Sequence, residues 1–562
     1  MSFLFTDVRF LRTFVLLFIM NGICVSFSMF FSYAKHFDLY WFYSFLYREV
    51  FFILTCSMLL FLIYHLRLKI LQNTLLAILT LLTFALFVVD IFLIYNFKSN
   101  LSSYLLSVAI DSSRRESVEF LHNYMSFELI FIYLALICLF IFIFVKLKSF
   151  KPNKKIVNSL FVFFLFSIIL IHVFRLRPVD ERWSDLLYNA YASYDQALIS
   201  LASLKEAQGL GANFDEIAKD FSSKINAVND EKKIKNIVLV IGESAQRNYM
   251  QIYGYDLNST PKLSQRLSKE PENTFVFKDV ISSYVTTHKS LSQVLTFANQ
   301  DNKQEWHKSF NVMDFFNIIS YDTYILSNQE SYGFFSVSIT SILSRALNPI
   351  FLNKTDKFDN VSLDEVILKN LTKLKKDKAS FYAFHLLGSH ATYYKRYPKE
   401  FDVFSANSIN GGGHCKTVKS QYLNSILYTD FILDEIIKYF ENEDTILIYI
   451  SDHAEEVCDK GEFFGHIPNQ ISKFMLEIPF VVYVSDTFKQ KHKDLYLRIK
   501  NADKSVPYMI DDLMHTLIDL SGVKFEGFEQ ERSIFSDDDS FLRQRKRLVG
   551  DKYIDYDKEL RH

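Results

Sequence analysis

The polarity of this chain changes near residue 175. Before it, apolar residues run in long stretches near 13–33, 50–66, 71–97, 126–145 and 156–174. Each is long enough to cross a bilayer as a helix, which takes about 20 residues. After it, short apolar runs alternate with helical patterns. IVLVI (237–241), DTILIYIS (444–451) and IPFVVYV (478–484) are apolar at consecutive positions, as strands buried on both faces are. FYAFHLL (381–387) is another strand, and YLNSILYTDFILDEIIKYFEN (422–442) reads as a helix. This alternation predicts an α/β sandwich with a mostly parallel sheet. Ligands of such sheets bind beyond the carboxyl ends of the strands.

Five spans followed by one soluble part define three segments. Residues 1–175 form a transmembrane domain, 176–232 a bridge and linker, and 233–562 a soluble domain. The first span is not a cleaved signal, because four more follow and no A-x-A site closes it. Arg9 and Arg12, Arg67 and Lys69, and Lys146, Lys148, Lys151, Lys154 and Lys155 flank the spans on one side. The other side holds fewer basic residues, so the N-terminus is cytoplasmic and the soluble domain periplasmic. Within the bridge, 183–207 has apolar and aromatic residues at helical spacing. It reads either as a helix lying on the membrane or as one packed on the soluble domain. The polar stretch 208–232 reads as a linker. Asp90 falls inside the third span, as a functional intramembrane acid or as a residue facing water near the span end.

Composition narrows the chemistry. The chain has 562 residues and a net charge of −1, so it carries no electrostatic footprint for nucleic acid. Of the five cysteines, only Cys415 and Cys458 lie in the soluble part, where their pairing stays open. There is no CxxC knuckle, so a zinc site would have to use His and carboxylates. Glu243-Ser244 and Ser451-Asp452-His453 follow two predicted strands and offer such ligands, although strand-ending Asp and Ser also cap helices. His390 and His466 sit in Gly- and Pro-containing loops, whereas His385 within its strand reads as structural. Thr286 and Thr287 precede a helical pattern, as a nucleophile or as an N-cap.

Taken in order, these segments resemble the bacterial inner-membrane phosphoethanolamine transferases, which include colistin-resistance proteins. VLVIGESAQRNYMQIYGYDLNSTPKL (238–263) is similar to their opening motif and VTTHKSLSQVLTF to their nucleophile segment. GSHATYYKRYP, YLNSILYTDFILDEII and ISDHAEE match their later motifs. The resemblance implies a five-helix transmembrane domain followed by an α/β/α sandwich of alkaline phosphatase and sulfatase type. It implies zinc, one ion or two, held by Glu243, Thr287, Asp452 and His453, with Thr287 as nucleophile. His390 and His466 become substrate-site residues with catalytic roles, and Asn328, Ser112 and Glu116 substrate contacts, the last two on the lipid headgroup.

The implied reaction moves phosphoethanolamine from phosphatidylethanolamine to an envelope glycan, lipid A or a core sugar of lipopolysaccharide, through a phospho-threonine. The Glu243–Arg247 spacing is similar to that of the subgroup acting on lipopolysaccharide core sugars. Departures are the lack of cysteines near Thr287, Ala454 in place of a glycine, and no lysine around Asn328-Gln329. The rival readings are a phosphoglycerol transferase using phosphatidylglycerol and a catalytically inactive membrane sensor or assembly protein.

Overall fold

The computed structural model describes residues 7–32, 59–97, 124–147 and, with short gaps, 211–561, together with a few isolated positions. They divide into two compact units, one before residue 202 and one from 202 onward. In the first, helices α1 (Val8–Ser32), α2 (Lys69–Phe97) and α3 (Phe127–Leu147) each contain a stretch long and apolar enough to span a membrane. These are the three candidate spans among the described residues. Of the other two expected spans, 156–174 lies outside the described residues and 50–66 lies partly outside them. The bridging segment 183–207 is likewise outside, apart from Tyr194. Asp90 is buried and satisfied by the chain just beyond α2. Its Oδ1 accepts from Leu101 N at 2.8 Å and its Oδ2 from Asn100 Nδ2 at 3.0 Å.

Among its described residues, the second unit is built around a main sheet of seven strands. They are β1 (Asn236–Gly242), β2 (Thr274–Val276), β3 (Asp322–Glu330), β4 (Asn348–Asn353), β5 (Ser380–His385), β6 (Thr445–Ser451) and β7 (Phe480–Val484). Their order is β2-β7-β6-β1-β5-β3-β4. The five strands from β6 to β4 are mutually parallel, and β7 and β2 close one edge antiparallel to their neighbours. The uninterrupted apolar runs are explained by two cores, one on each face. Ile237, Leu239 and Ile241 of β1 point into one core, and Val238 and Val240 into the other. β6 divides the same way, with Ile446, Ile448 and Ile450 on one side and Leu447 and Tyr449 on the other. A long helix, Gly413–Phe440, covers the second face with Tyr422, Leu423, Ile426, Leu433, Ile436, Ile437 and Phe440.

The stretch expected as a polar linker contains a 12-residue helix, α4 (Gly211–Ser222). Phe214 is buried in the first core, and Ile217 and Phe221 pack against it. Phe221 stacks on Phe310 with ring centroids 4.2 Å apart. Three apolar residues at helical spacing are enough to dock this helix, while Asn213, Asp215, Glu216, Lys219, Asp220 and Ser222 stay exposed.

Candidate active site

Two central strands end together. In the β1–β6 ladder Gly242 is opposite Ser451, so Glu243 and Asp452 leave the sheet side by side. Ser244 then takes a left-handed backbone (φ 57), uncommon for a residue with a side chain. That turn aims Ser244 N at Asp452 Oδ1 (3.2 Å) and Ser244 Oγ at Glu243 Oε1 (2.9 Å). Tyr422 holds the turn from below, accepting from Gln246 N and donating to Ser244 O, both at 2.7 Å.

His453 completes a buried triad. Its Nδ1 is 2.9 Å from Ala454 O, a contact only an N–H can make favourably. Nε2 is then the nitrogen that offers its lone pair whenever the ring is neutral, and it lies 3.3 Å from Glu243 Oε1 and 3.4 Å from Asp452 Oδ2. One ligand atom from each of Glu243, Asp452 and His453 falls within 4.8 Å of the others. Asp452 Oδ2 is buried without a hydrogen bond. Burial, and then the charge of Glu243, push the Asp452 carboxyl up. Burial opposes a charge on His453, yet the two carboxylates draw its pKa up. A dry site with two carboxylates, an inward imidazole lone pair and an orphaned oxygen is short of positive charge. That donor set fits Zn²⁺.

Thr287 stands over this triad as the first residue of a short helix, α5 (Thr287–Val294), with Thr286 at the N-cap. Its hydroxyl donates to Glu243 Oε2 at 3.1 Å and lies 3.4 Å from His453 Nε2. Ser290, one turn on, donates to Asp452 O at 2.6 Å and pins α5 to the metal-side loop.

The flanking histidines come from two loops. The ring of His466 is 4.3 Å from that of His453, and its Nδ1 is 3.3 Å from Glu455 Oε1. His390 follows Gly388, whose φ of 51 and close approach to Glu243 exclude a side chain. A Cβ there would come within 2.9 Å of the Glu243 backbone. Ser389 N donates to Glu243 O at 2.9 Å, and Asp364 accepts from both Leu387 N and Gly388 N. His390 thus stands two residues beyond the backbone that packs on Glu243. His385 is buried in β5, and burial lowers its pKa to about 4.

Not every expected residue joins this group. Asn328 Nδ2 donates to Asp364 Oδ1 at 2.8 Å, bracing the His390 loop. The next residue, Gln329, reaches the centre instead, donating to Glu243 Oε2 (3.2 Å) and to Leu386 O (2.9 Å). Ser112 and Glu116 lie outside the described residues. The sequence reading also missed Glu455, which accepts from Tyr393 OH at 2.7 Å while facing His466. Its position directly after the Asp-His-Ala motif was the available signal. Cys415 and Cys458 are joined, tying the long helix Gly413–Phe440 to the hairpin that leads to His466.

Comparison with known proteins finds relatives of this chain. A family model described as Sulfatase matches residues 235–523, more than half of the chain. The chain is 28% identical over 490 residues to the phosphoethanolamine transferase EptC of Escherichia coli K12, covering 81% of this chain and 82% of that one. Among solved structures, it is similar to the C-terminal periplasmic domain of Escherichia coli EptC in complex with Zn. The TM-score is 0.55 at 27% identity, over 60% of this chain and 96% of that one. The integral membrane lipooligosaccharide phosphoethanolamine transferase A of Neisseria meningitidis shares the fold of both parts. There the TM-score is 0.60 at 18% identity, over 94% of this chain and 97% of that one.

Proposed function

The chain belongs to the sulfatase family, and from that premise we propose that it is a membrane-anchored, zinc-dependent phosphoethanolamine transferase. The donor is phosphatidylethanolamine, and the acceptor is a lipopolysaccharide glycan, on lipid A or a core sugar. The observation that carries the reading is the Thr287 hydroxyl, 3.1 Å from Glu243 and 3.4 Å from His453 at the mouth of a buried ligand triad. The names of the relatives above support phosphoethanolamine as the group moved.

Glu243, Asp452, His453 and the Thr287 oxygen would hold the metal. Zinc bound there lowers the pKa of a hydroxyl and offsets charge on phosphoryl oxygens. Thr287 Oγ attacks phosphorus, and its proton leaves toward Glu243 Oε2, to which it already donates. The bond from phosphorus to the glycerol oxygen breaks, and diacylglycerol departs. His466, oriented through Nδ1 by Glu455, gives that oxygen a proton when its ring has entered the reaction as the imidazolium. His390, on the stitched loop beside Glu243, is positioned for the phosphoryl oxygens. The acceptor hydroxyl then attacks the phospho-threonine, and the same groups run in reverse. Two easier displacements replace one hard transfer.

We assign residues 1–175 to the anchor, 176–232 to a bridging segment and 233–562 to the catalytic domain. The anchor lies in the inner membrane with its N-terminus cytoplasmic and the catalytic domain periplasmic. Basic residues at Arg9, Arg12, Arg67 and Lys69 support that orientation. Holding the site at the bilayer raises its effective concentration toward a donor that never leaves it.

The test is to incubate the purified full chain with phosphatidylethanolamine and zinc. Diacylglycerol release and intact mass are followed beside Thr287→Ala. The expected result is diacylglycerol plus a phosphoethanolamine adduct, both absent in the variant. Activity on phosphatidylglycerol alone would sink the reading.

A further inference from the structure

The backbone that delivers Thr287 is held by a part of the chain outside the family-matched region, which ends at residue 523. Near the C-terminus, Lys546–Val549 and Lys552–Asp555 form an antiparallel hairpin followed by a helical turn, Tyr556–Leu560. Arg545, at the start of this arm, is 1% exposed, and its guanidinium lies between two carboxylates. Nη1 donates to Asp279 Oδ1 at 2.8 Å and to Asp279 O at 3.0 Å. Nε donates to Asp557 Oδ2 at 2.9 Å, and Nη2 bonds both acids. Arg561 closes the square, 3.0 Å from Asp279 Oδ2 and 3.1 Å from Asp557 Oδ1. Two cations balance two anions; Arg545 and Asp279 are buried, while Arg561 caps the group from the surface. Its geometry is over-determined by bidentate bonds.

Asp279 immediately precedes Val280–Ile281, the last regular backbone before Thr286 and Thr287. Arg247, beside the Glu243 turn, bonds Val280 O from the other side. Tyr556 adds a second hold. Its ring lies under Arg545, 4.8 Å from the guanidinium carbon, and its hydroxyl donates to Glu477 Oε1 at 2.7 Å. Glu477 is bridged to Ile281, and its neighbour Leu476 accepts from Ser282 N at 2.9 Å. Met475 accepts from Ala454 N at 3.1 Å, directly after His453. Ile281, Val285, Met475, Leu476, Met509 and Tyr556 form one small apolar cluster. The arm therefore grips the backbone on both sides of the reacting atoms, the Thr287 segment and the His453 loop.

We propose that Arg545 and Tyr556 are positioning residues, through which the C-terminal arm sets the approach of Thr287 to the Glu243–Asp452–His453 triad. The inference rests on the reading of Thr287 as nucleophile. Both residues act through Asp279 and Glu477 rather than at the reacting atoms, so their loss should change the rate of the chemical step and leave donor binding and zinc content alone.

The experiment uses the full chain in detergent micelles with zinc, as wild type, Tyr556→Phe, Arg545→Lys and Arg545→Met. It reads zinc content, hydrogen exchange over 281–290, and diacylglycerol release from phosphatidylethanolamine. Tyr556→Phe is expected to keep its zinc and its KM, to exchange faster over 281–290, and to lose on the order of tenfold in kcat. Arg545→Met should lose more, with Arg545→Lys between the two. If Arg545→Met does not fold, Tyr556→Phe decides alone, since it removes one hydroxyl. Unchanged exchange over 281–290, or a rise in KM at constant kcat, would overturn the inference. If wild type releases no diacylglycerol while exchange over 281–290 still responds to the variants, the clamp stands and the transferase reading falls.

Discussion

Gly242 and Ser451 sit opposite each other in the β1–β6 ladder, and this single register puts Glu243 and Asp452 beside one another with His453 closing the group. Two buried carboxylates at this distance repel unless a cation lies between them. Chelation should therefore cost stability as well as activity. Restoring zinc to about 100 times its dissociation constant should raise unfolding free energy by about 2.7 kcal/mol. Asp452→Asn should abolish most of that response while leaving the seven-stranded sheet intact. Thermal unfolding of both proteins, with and without zinc, checks this.

Gln329 is the partner that orients Glu243 from β3, donating to Oε2 at 3.2 Å and fixed in turn by Leu386 O at 2.9 Å. Hydrogen-bonded partners of metal-binding carboxylates typically contribute ten- to a hundredfold in metal affinity. Gln329→Leu should weaken zinc binding by about that factor without unfolding the protein. Competition against a chromophoric chelator gives the number, and an unchanged affinity would remove Gln329 from the site.

Much of this architecture is legible from hydrophobic patterning, because β1, β5, β6 and β7 are apolar at consecutive positions and both faces of the sheet are covered. The residues that leave the carboxyl ends of β1 and β6 are also readable, since a parallel sheet must present them together. What escaped reading depends on contacts remote in sequence. Asn328 and Gln329 are neighbours on one strand and face different partners, Asp364 and Glu243, and composition alone does not choose between them. Helix α4 was hidden because only Phe214, Ile217 and Phe221 carry its docking face. Arg545 could not be read as a site brace, because Asp557 lies 12 residues on but Asp279, which ties it to the Thr287 segment, is 266 residues away.

The Cys415–Cys458 bond closes a separation of 43 residues and fastens the hairpin 456–465 to the first turn of the long helix Gly413–Phe440. A loop of that length implies a loss of about 4 kcal/mol on reduction in the chain-entropy model. Cys415→Ser should show most of this as a lower urea midpoint. Because the hairpin leads directly to His466 and its partner Glu455, turnover should fall under reductant while the zinc content holds. Urea titration and metal analysis with and without reductant separate the two effects.

His385 supplies a pH dependence with a definite sign. It is buried in β5, its Nε2 has no hydrogen-bond partner, and burial lowers its pKa to about 4 against an ordinary 6.5. Between those values the unfolded chain binds a proton that the folded chain refuses, so folding stability must fall as pH drops through this window. The contribution is fully present above pH 6.5 and exhausted below pH 4, and it amounts to about 3 kcal/mol at most. Other buried groups titrate in the same range, so the difference between proteins is the informative quantity. His385→Leu removes the titrating group and its orphaned nitrogen together. Its stability should depend less steeply on pH between 6.5 and 4 than that of the wild type. Parallel slopes in denaturant titrations across that window would mean that His385 keeps its proton in the folded state.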